Sequence, residues 1–305
     1  MEIKTVAIVG LGAMGILYGN HFAKRMPHDD LRIVADQQRI ERYRRESIFC
    51  NGEKCEFHYV TPEEKTTSAD LIIFTVKNNG LEDAIRAVRN QVGENTLILS
   101  ALNGITSEAI ISEVYGAEKV LYSVALGMDA VKEDNKLTYA NMGFLCFGDQ
   151  EPGSISPKVK RVADFFTKMG FPYQIDTDMP KRLWAKLMLN VGVNQAVTVY
   201  GNNYGVIQKE GEARATMIAA MREVINLAVK EGIDLTEADL EYSLEVLDGL
   251  SPEGKPSLRQ DIEAKRYTEV ELFAGTVIKL GRKHGVPTPV NQRLYDSIKA
   301  MEAEF

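Results

Sequence analysis

The sequence predicts an α/β chain: an N-terminal Rossmann-like doubly wound sheet over residues 1–177, then a C-terminal all-helical domain over 178–305. Three observations predict it. An apolar strand at 6–9 runs straight into G-x-G-x-x-G; short buried strands alternate with helices as far as residue 175; beyond that point strand-like runs vanish.

The glycine segment reads Gly10-Leu11-Gly12-Ala13-Met14-Gly15. In a strand–turn–helix unit the first glycine permits a tight turn and the second lets backbone approach a pyrophosphate. The third brings the helix close to the strand, with its N-terminal N–H groups turned to the anion. Asp36 closes the second apolar run, roughly 20 residues past the last glycine, where a carboxylate accepts from ribose hydroxyls and repels a 2′-phosphate. It favours NAD(H) over NADP(H). Arg39, Arg42, Arg44 and Arg45 stand against it as neutralisers of a 2′-phosphate, or form the solvated face of a short helix over 37–46.

Residues 47–60 read as a hairpin around Asn51-Gly52, flanked by Cys50 and Cys55. The continuous apolar run 70–77, ending at Lys77, is a strand buried on both faces of a parallel sheet. A helix over 81–91 follows, then a strand over 96–101 ending at Leu102-Asn103-Gly104, and a helix over 107–115. Strands at 120–127 and 144–148 are joined by a polar turn near 132–135. A helix over 157–169 and a strand over 172–175 complete the domain, which should take ligands at its C-terminal strand ends.

Composition excludes several classes. The formal net charge of −7 gives no polycationic footprint, so neither nucleic acid nor an anionic membrane surface is an expected partner. No apolar run approaches membrane-spanning length, and the chain enters its first strand at once, without a leader pattern. The three cysteines lack metal spacing and are expected to be free thiols, and the four histidines are scattered; no metal is expected. The chain reads as a cytoplasmic enzyme acting on a small molecule.

In the second half, helices are predicted over 179–198, 213–231, 236–247, 258–284 and 291–305. Thr236 with Asp239 makes an N-cap, and Gly232 closes the preceding helix. Lys186, Asn190 and Asn194 fall at i, i+4 and i+8, each turning by about 40° from the last, so they line one stripe. That stripe is either a reactive face or a polar bridge to other helices. Ser257 reads as an N-cap with Gln260 at N3, opening the helix that carries Glu269. The helix over 213–231 suits either an ordinary core or pairing with a second copy in a homodimer.

The glycine motif, Thr75-Val76-Lys77, Leu102-Asn103-Gly104, Leu183-Trp184-x-Lys186-Leu187-x-x-Asn190-x-x-x-Asn194 and Ser257-x-x-Gln260-Asp261-x-x-x-x-Arg266-x-Thr268-Glu269 occur in the order of the ketopantoate reductases. The chain resembles that family over nearly its whole length. The resemblance implies that Lys186 donates a proton to a keto oxygen while a nicotinamide delivers hydride to the carbon, with Glu269 assisting. It implies that Asn190, Asn194 and Ser257 hold the substrate, and that Lys77 and Asn103 stand near cofactor and substrate. Reduction of 2-dehydropantoate to pantoate, in pantothenate and coenzyme A synthesis, is the implied reaction.

Departures from the family pattern matter. Asp36 stands where NADPH-specific members commonly carry a basic or neutral residue, Ala274-Gly275 replaces a commoner Asn-Gly, and Gln195 stands where proline is frequent. Asp36 and Ala274 lean toward an NAD-dependent D-2-hydroxyacid dehydrogenase acting on another branched or aromatic 2-oxo acid. A non-catalytic dinucleotide-binding module is the reading from another class, and it would need neither Lys186 nor Glu269.

Overall fold

The computed structural model describes residues 2–305, and the chain divides into two compact units, one ending at Pro180 and the other beginning at Lys181. In the first, β1 (Val6–Val9), α1 (Ala13–Ala23), β2 (Leu31–Val34) and α2 (Gln37–Glu46) form the opening β-α-β-α unit. Then come β3 (Phe49–Cys50), β4 (Glu53–Lys54), β5 (His58–Val60), β6 (Leu71–Phe74), α3 (Leu81–Ala87), β7 (Leu97–Ser100) and α4 (Ser107–Tyr115). The remainder is β8 (Val120–Leu126), β9 (Val131–Glu133), β10 (Lys136–Thr138), β11 (Phe144–Gly148), α5 (Pro157–Lys168) and β12 (Tyr173–Ile175).

Eight strands make the main sheet in the order β12-β11-β8-β7-β6-β1-β2-β5. From β5 to β8 every pairing is parallel; β11 runs antiparallel to β8. The two-residue period of a strand sorts its side chains onto two faces. Ile8, Ile33, Ile73 and Leu99 enter one apolar core with Phe22 of α1 and Phe165 and Phe166 of α5. Their neighbours Val9, Val34, Ile72, Phe74 and Ile98 enter another with Leu81, Ile85 and Ile111 of α3 and α4. Burial on both faces explains why these strands read as unbroken apolar runs.

Two expectations for this unit are corrected. The hairpin expected over 47–60 is confined to β3 and β4, and His58–Val60 instead adds in parallel to β2. The polar turn near 132–135 is itself a hairpin, β9–β10, and β10 pairs with β3 to make a second sheet, β4-β3-β10-β9. Asn135 and Asn51 stitch that pairing: Asn135 Nδ2 donates to the Glu46 and Ser47 carbonyls at 2.8 Å, and Asn51 Oδ1 accepts from Tyr139 N at 2.9 Å. Cys50 and Cys55 are free and buried.

The second unit is helical: α6 (Met179–Tyr200, begun two residues earlier), α7 (Gly205–Gln208), α8 (Glu212–Lys230), α9 (Glu237–Asp248), α10 (Ser257–Glu263), α11 (Thr276–His284) and α12 (Pro289–Glu302). α8 is central, lying against α7, α9, α11 and α12. A Cβ at Gly192 would come within 2.5 Å of Met221, so α6 passes close to α8 there. Gln195 of α6 donates to Asn291 Oδ1 at 3.0 Å, and Glu223 of α8 accepts from the N–H groups of Val290 and Asn291 at the start of α12. The expected caps appear: Thr236 and Asp239 form a capping box, and Gly232 takes φ +77° just past α8.

The single helix expected over 258–284 is corrected. α10 ends at Glu263, Lys265 turns the chain at φ +50°, residues 266–270 are irregular, and a π-helical turn over Glu271–Gly275 leads into α11. Among the described residues no helix is long and apolar enough to cross a membrane.

Candidate active site

In the first unit the candidate residues collect along one edge. Gly10–Gly15 follow β1, Asp36 follows β2, Lys77 follows β6 and Asn103 follows β7, and these four strands are neighbours in the sheet. All lie at C-terminal strand ends, the edge at which α/β sheets bind ligands.

The three glycines do different jobs. Gly10 has φ +99°, and a Cβ there would lie 2.7 Å from Val76 Cγ1. A Cβ at Gly15 would lie 1.8 Å from the Gly10 carbonyl oxygen. Thr75 fixes the turn from the next strand, its Oγ1 within 2.6 Å of Gly10 O and 3.1 Å of Val9 O. Gly12 is exposed, and the nearest protein atom to a Cβ placed there is 3.6 Å away. Nothing inside the protein demands glycine at 12, and its exposed face leaves room for a group approaching from outside. α1 begins at Ala13 with Gly12 as N-cap, no capping side chain and no acidic residue in its first turn. Its N–H groups and dipole are thus available to an anion. Leu11 is buried, while Ala13 and Met14 are half-buried in the helix mouth. This turn fits a dinucleotide pyrophosphate.

Asp36 is the N-cap of α2: its Oδ1 accepts from Arg39 N at 2.8 Å, and Oδ2 lies 3.3 Å from Arg39 Nε. The position that reads as a ribose acceptor therefore also carries a local structural role. Lys77 is exposed at the N-cap of a 3₁₀ turn, Asn78–Gly80. Asn103 is half-buried beside Gly104, whose φ of +91° turns the loop.

Beneath the Asn103 loop lies a relay that the sequence did not reveal. The Leu102 N–H points to Ser100 Oγ at 3.4 Å, Ser100 and Ser107 share a hydroxyl hydrogen bond at 2.8 Å, and Ser107 Oγ donates to Glu108 Oε2 at 2.8 Å. Ser123 Oγ donates to the Ser100 carbonyl at 2.6 Å. Glu108 is buried, and burial pushes its carboxyl up to about 7 against the pull of the Ser107 hydroxyl.

In the second unit α6 carries Lys186, Asn190 and Asn194 along one stripe. Lys186 is packed among the helices with part of its surface exposed, and desolvation lowers its ammonium to about 8, opposed by the charge of Glu269. Asn194 is buried and organises its neighbours. Its Nδ2 donates to Asn190 Oδ1 at 3.3 Å, and its Oδ1 accepts from Ser257 Oγ at 3.2 Å and Leu258 N at 3.3 Å. The N-cap reading of Ser257 is corrected by the same contacts. Pro256 is the N-cap of α10, Ser257 is the first helical residue, and Asn194 takes the following N–H from across the unit.

Glu269 lies in the irregular stretch between α10 and the π-turn, not on a helix. That stretch is tied at two points. Arg266 Nε meets Asp261 Oδ1 at 2.9 Å, and the buried Glu302 of α12 accepts from Thr268 N at 2.7 Å and Thr268 Oγ1 at 2.6 Å. A π-turn then follows at once, a distortion that often marks functional positions. Ala274, within it, is wholly buried. Glu302 and Asp261 are thus supports for Glu269; only Asp261 had a sequence signal, its place in the Ser257–Glu269 motif.

Comparison with known proteins follows the same division. The family described as "Ketopantoate reductase PanE/ApbA" matches residues 6–152, and "Ketopantoate reductase PanE/ApbA C terminal" matches 178–302. The 2-dehydropantoate 2-reductase of Aquifex aeolicus is 29% identical over 301 residues, covering 97% of this chain and 96% of that protein. That of Halobacterium salinarum is 24% identical over 315 residues, with 98% and 99% covered. Among solved structures, D-mandelate dehydrogenase with NADH and anilino(oxo)acetate superposes with TM-score 0.86 at 23% identity, covering 98% of this chain and 99% of that one. A PanE/ApbA family ketopantoate reductase from Ralstonia eutropha gives 0.84 at 22%, with the same coverage. With both family regions matched in order across the two units, the chain belongs to the ketopantoate reductase family of NAD(P)-dependent oxidoreductases.

Proposed function

We propose that the chain reduces 2-dehydropantoate to pantoate, with NADH preferred to NADPH. The observation that carries this reading is Lys186, an ammonium lowered to about 8 and coupled to Glu269, on the stripe shared with Asn190 and Asn194. Reducing a 2-oxo acid places negative charge on the former keto oxygen. A donor protonated at neutral pH, yet easier to deprotonate than an exposed lysine, lowers that barrier. The bound dinucleotide supplies the hydride. Lys186 supplies the proton, and Glu269 keeps the ammonium charged before transfer.

Asn194 already spends its amide on Asn190, Ser257 and Leu258. Direct contact with the substrate's carboxylate and hydroxyl therefore falls to Asn190 and to the exposed Ser257, which Asn194 positions. Gly10–Gly15 hold the pyrophosphate, Asp36 the adenosine ribose, and Lys77 and Asn103 complete the nucleotide unit's share. Free, buried thiols suit a reducing cytoplasm.

A second reading, an NAD-dependent D-2-hydroxyacid dehydrogenase, rests on Asp36 and on Ala274, whose apolar side chain replaces an amide. Among the structural neighbours, D-mandelate dehydrogenase with NADH accords with it. As to assembly, α8 is largely buried within its own unit, while Tyr242 and Val246 of α9 are exposed one turn apart. A dimeric ketopantoate reductase from Staphylococcus aureus is among the neighbours, and we extend a homodimer to this chain.

Steady-state assays with ketopantoate, phenylpyruvate, 2-oxoisovalerate and benzoylformate, each with NADH and NADPH, decide between the readings. A kcat/KM advantage of about a hundredfold for ketopantoate, on the order of 3 kcal/mol, supports the first. A win for an aromatic or simpler branched acid supports the second. Nucleotide binding without turnover would leave only a binding module.

A further inference from the structure

Four histidines scattered through the sequence offer no ligand spacing, yet the fold gathers two of them. Among the described residues, one group of three His, Cys, Asp or Glu side chains brings its ligand atoms within 4.8 Å of one another: His28, Asp29 and His58. His28 and Asp29 belong to the 3₁₀ turn that leads into β2, and His58 opens β5, in register with Arg32 of β2. The group therefore lies at the N-terminal end of this parallel pair. Asp36 and the glycine turn lie at the other end, about 13 Å away along a four-residue strand.

The spacing of Asp29 from both imidazoles approaches that of a coordination shell. Asp29 Oδ1 is 3.1 Å from His28 Nδ1 and 3.7 Å from His58 Nδ1. Ligands bound tetrahedrally at about 2.0–2.1 Å are spaced about 3.3 Å apart. The two rings lie 5.3 Å apart with 20° between their planes, and two imidazoles bound through nitrogen to one such ion stand about 5 Å apart. His58 Nδ1 is buried and has no hydrogen-bond partner, the 3.7 Å to Asp29 being too long for one. A buried ring nitrogen left without a partner needs a reason, and a metal ion is one.

We infer that His28, Asp29 and His58 bind one divalent transition-metal ion of the Zn²⁺ type. Two imidazoles and one carboxylate select Zn²⁺, Co²⁺, Ni²⁺ or Cu²⁺ over Mg²⁺ and Ca²⁺. Asp29 and His28 are exposed, so the remaining positions open to water. The ion ties the turn before β2 to β5, the outermost strand of the sheet, and so braces an edge. It takes no part in hydride or proton transfer.

The test uses untagged protein stripped with a chelator and titrated with ZnCl₂ by calorimetry and with CoCl₂ by visible absorption. We expect one equivalent bound in the micromolar range, a Co²⁺ spectrum of low coordination number displaced by Zn²⁺, and no competition from Mg²⁺. His28→Ala and Asp29→Asn, both at exposed positions, should each weaken binding at least tenfold while oxidoreductase activity is unchanged. His284→Ala, which removes a separate histidine–carboxylate pair with Glu231, should leave binding as it was. Absence of a saturable equivalent, or equal affinity in the His28 and Asp29 variants, overturns the inference.

Discussion

A Cβ on Gly15 would stand 1.8 Å from the carbonyl oxygen of Gly10, so the helix and the turn before it meet at a point only glycine allows. Gly12, three residues earlier, has no such constraint. The two substitutions should therefore separate folding from binding. Gly15→Ala is expected to lower the melting temperature and the yield of folded protein. Gly12→Ala, at a permissive φ of −74°, should melt near wild type and lose at least tenfold in NADH affinity by fluorescence titration. Unchanged affinity in Gly12→Ala would remove this turn from cofactor binding.

The Lys186–Glu269 coupling sets a pH dependence. With the ammonium at about 8, kcat/KM for reduction should fall as pH rises through that value, because the proton donor is lost. Glu269 raises the lysine, so Glu269→Gln should move the alkaline limb to lower pH. Lys186→Ala is expected to reduce kcat by roughly 10³-fold while nucleotide binding survives. Activity within a few-fold of wild type would show that another group supplies the proton.

Asp36 caps α2, and substitution can divide that role from the ribose contact proposed for it. Asp36→Ala removes the α2 N-cap and should cost about 1 kcal/mol in denaturant unfolding. Asp36→Ser keeps a capping oxygen but removes the charge. It should hold stability while narrowing the NADH/NADPH ratio of kcat/KM. Equal ratios in Asp36→Ser and wild type would leave Asp36 a cap alone.

Glu108 should make the protein less stable as pH rises. Its carboxyl titrates near 7 when folded and near the ordinary 4.5 when unfolded. Between those values the unfolded chain binds fewer protons than the native one, so stability declines through that window and levels off above it. The loss is of order 3 kcal/mol. Glu108→Gln keeps an acceptor for Ser107 and should flatten the curve, with the variant more stable than wild type at pH 8 in urea titrations. Parallel curves for the two proteins would contradict the burial argument.

What could be read from the chain followed from local chemistry. Strands β1, β6 and β7 announced themselves because burial on both faces makes them apolar throughout, save Ser100 at the end of β7. Thr236 and Asp239 spelled out a cap within four residues. The failures were long-range. Nothing near His58 says that it joins β2 rather than β4, and nothing in the loop near 132–135 says that it pairs with β3, because both choices are made by partners far along the chain. Ser257 looked like a cap because its neighbours fit one. The acceptor that claimed its hydroxyl is Asn194, 63 residues away. Glu269 was placed on a helix because no Gly or Pro interrupts the chain from Ser257 to Val270, while Glu302 and Asp261 tie that stretch from outside it.

Glu302 also ties the stretch that carries Glu269 to a helix made later in synthesis. The segment that carries Glu269 is fastened through Thr268 to a carboxylate in the last turn of α12. During synthesis the sheet, the glycine turn and α6 all emerge well before that carboxylate does. A nascent chain can therefore complete its nucleotide fold while the stretch beside Lys186 is still unfastened. On the proposed role of Lys186, competence for proton transfer waits until residue 302 is made and α12 closes over Thr268.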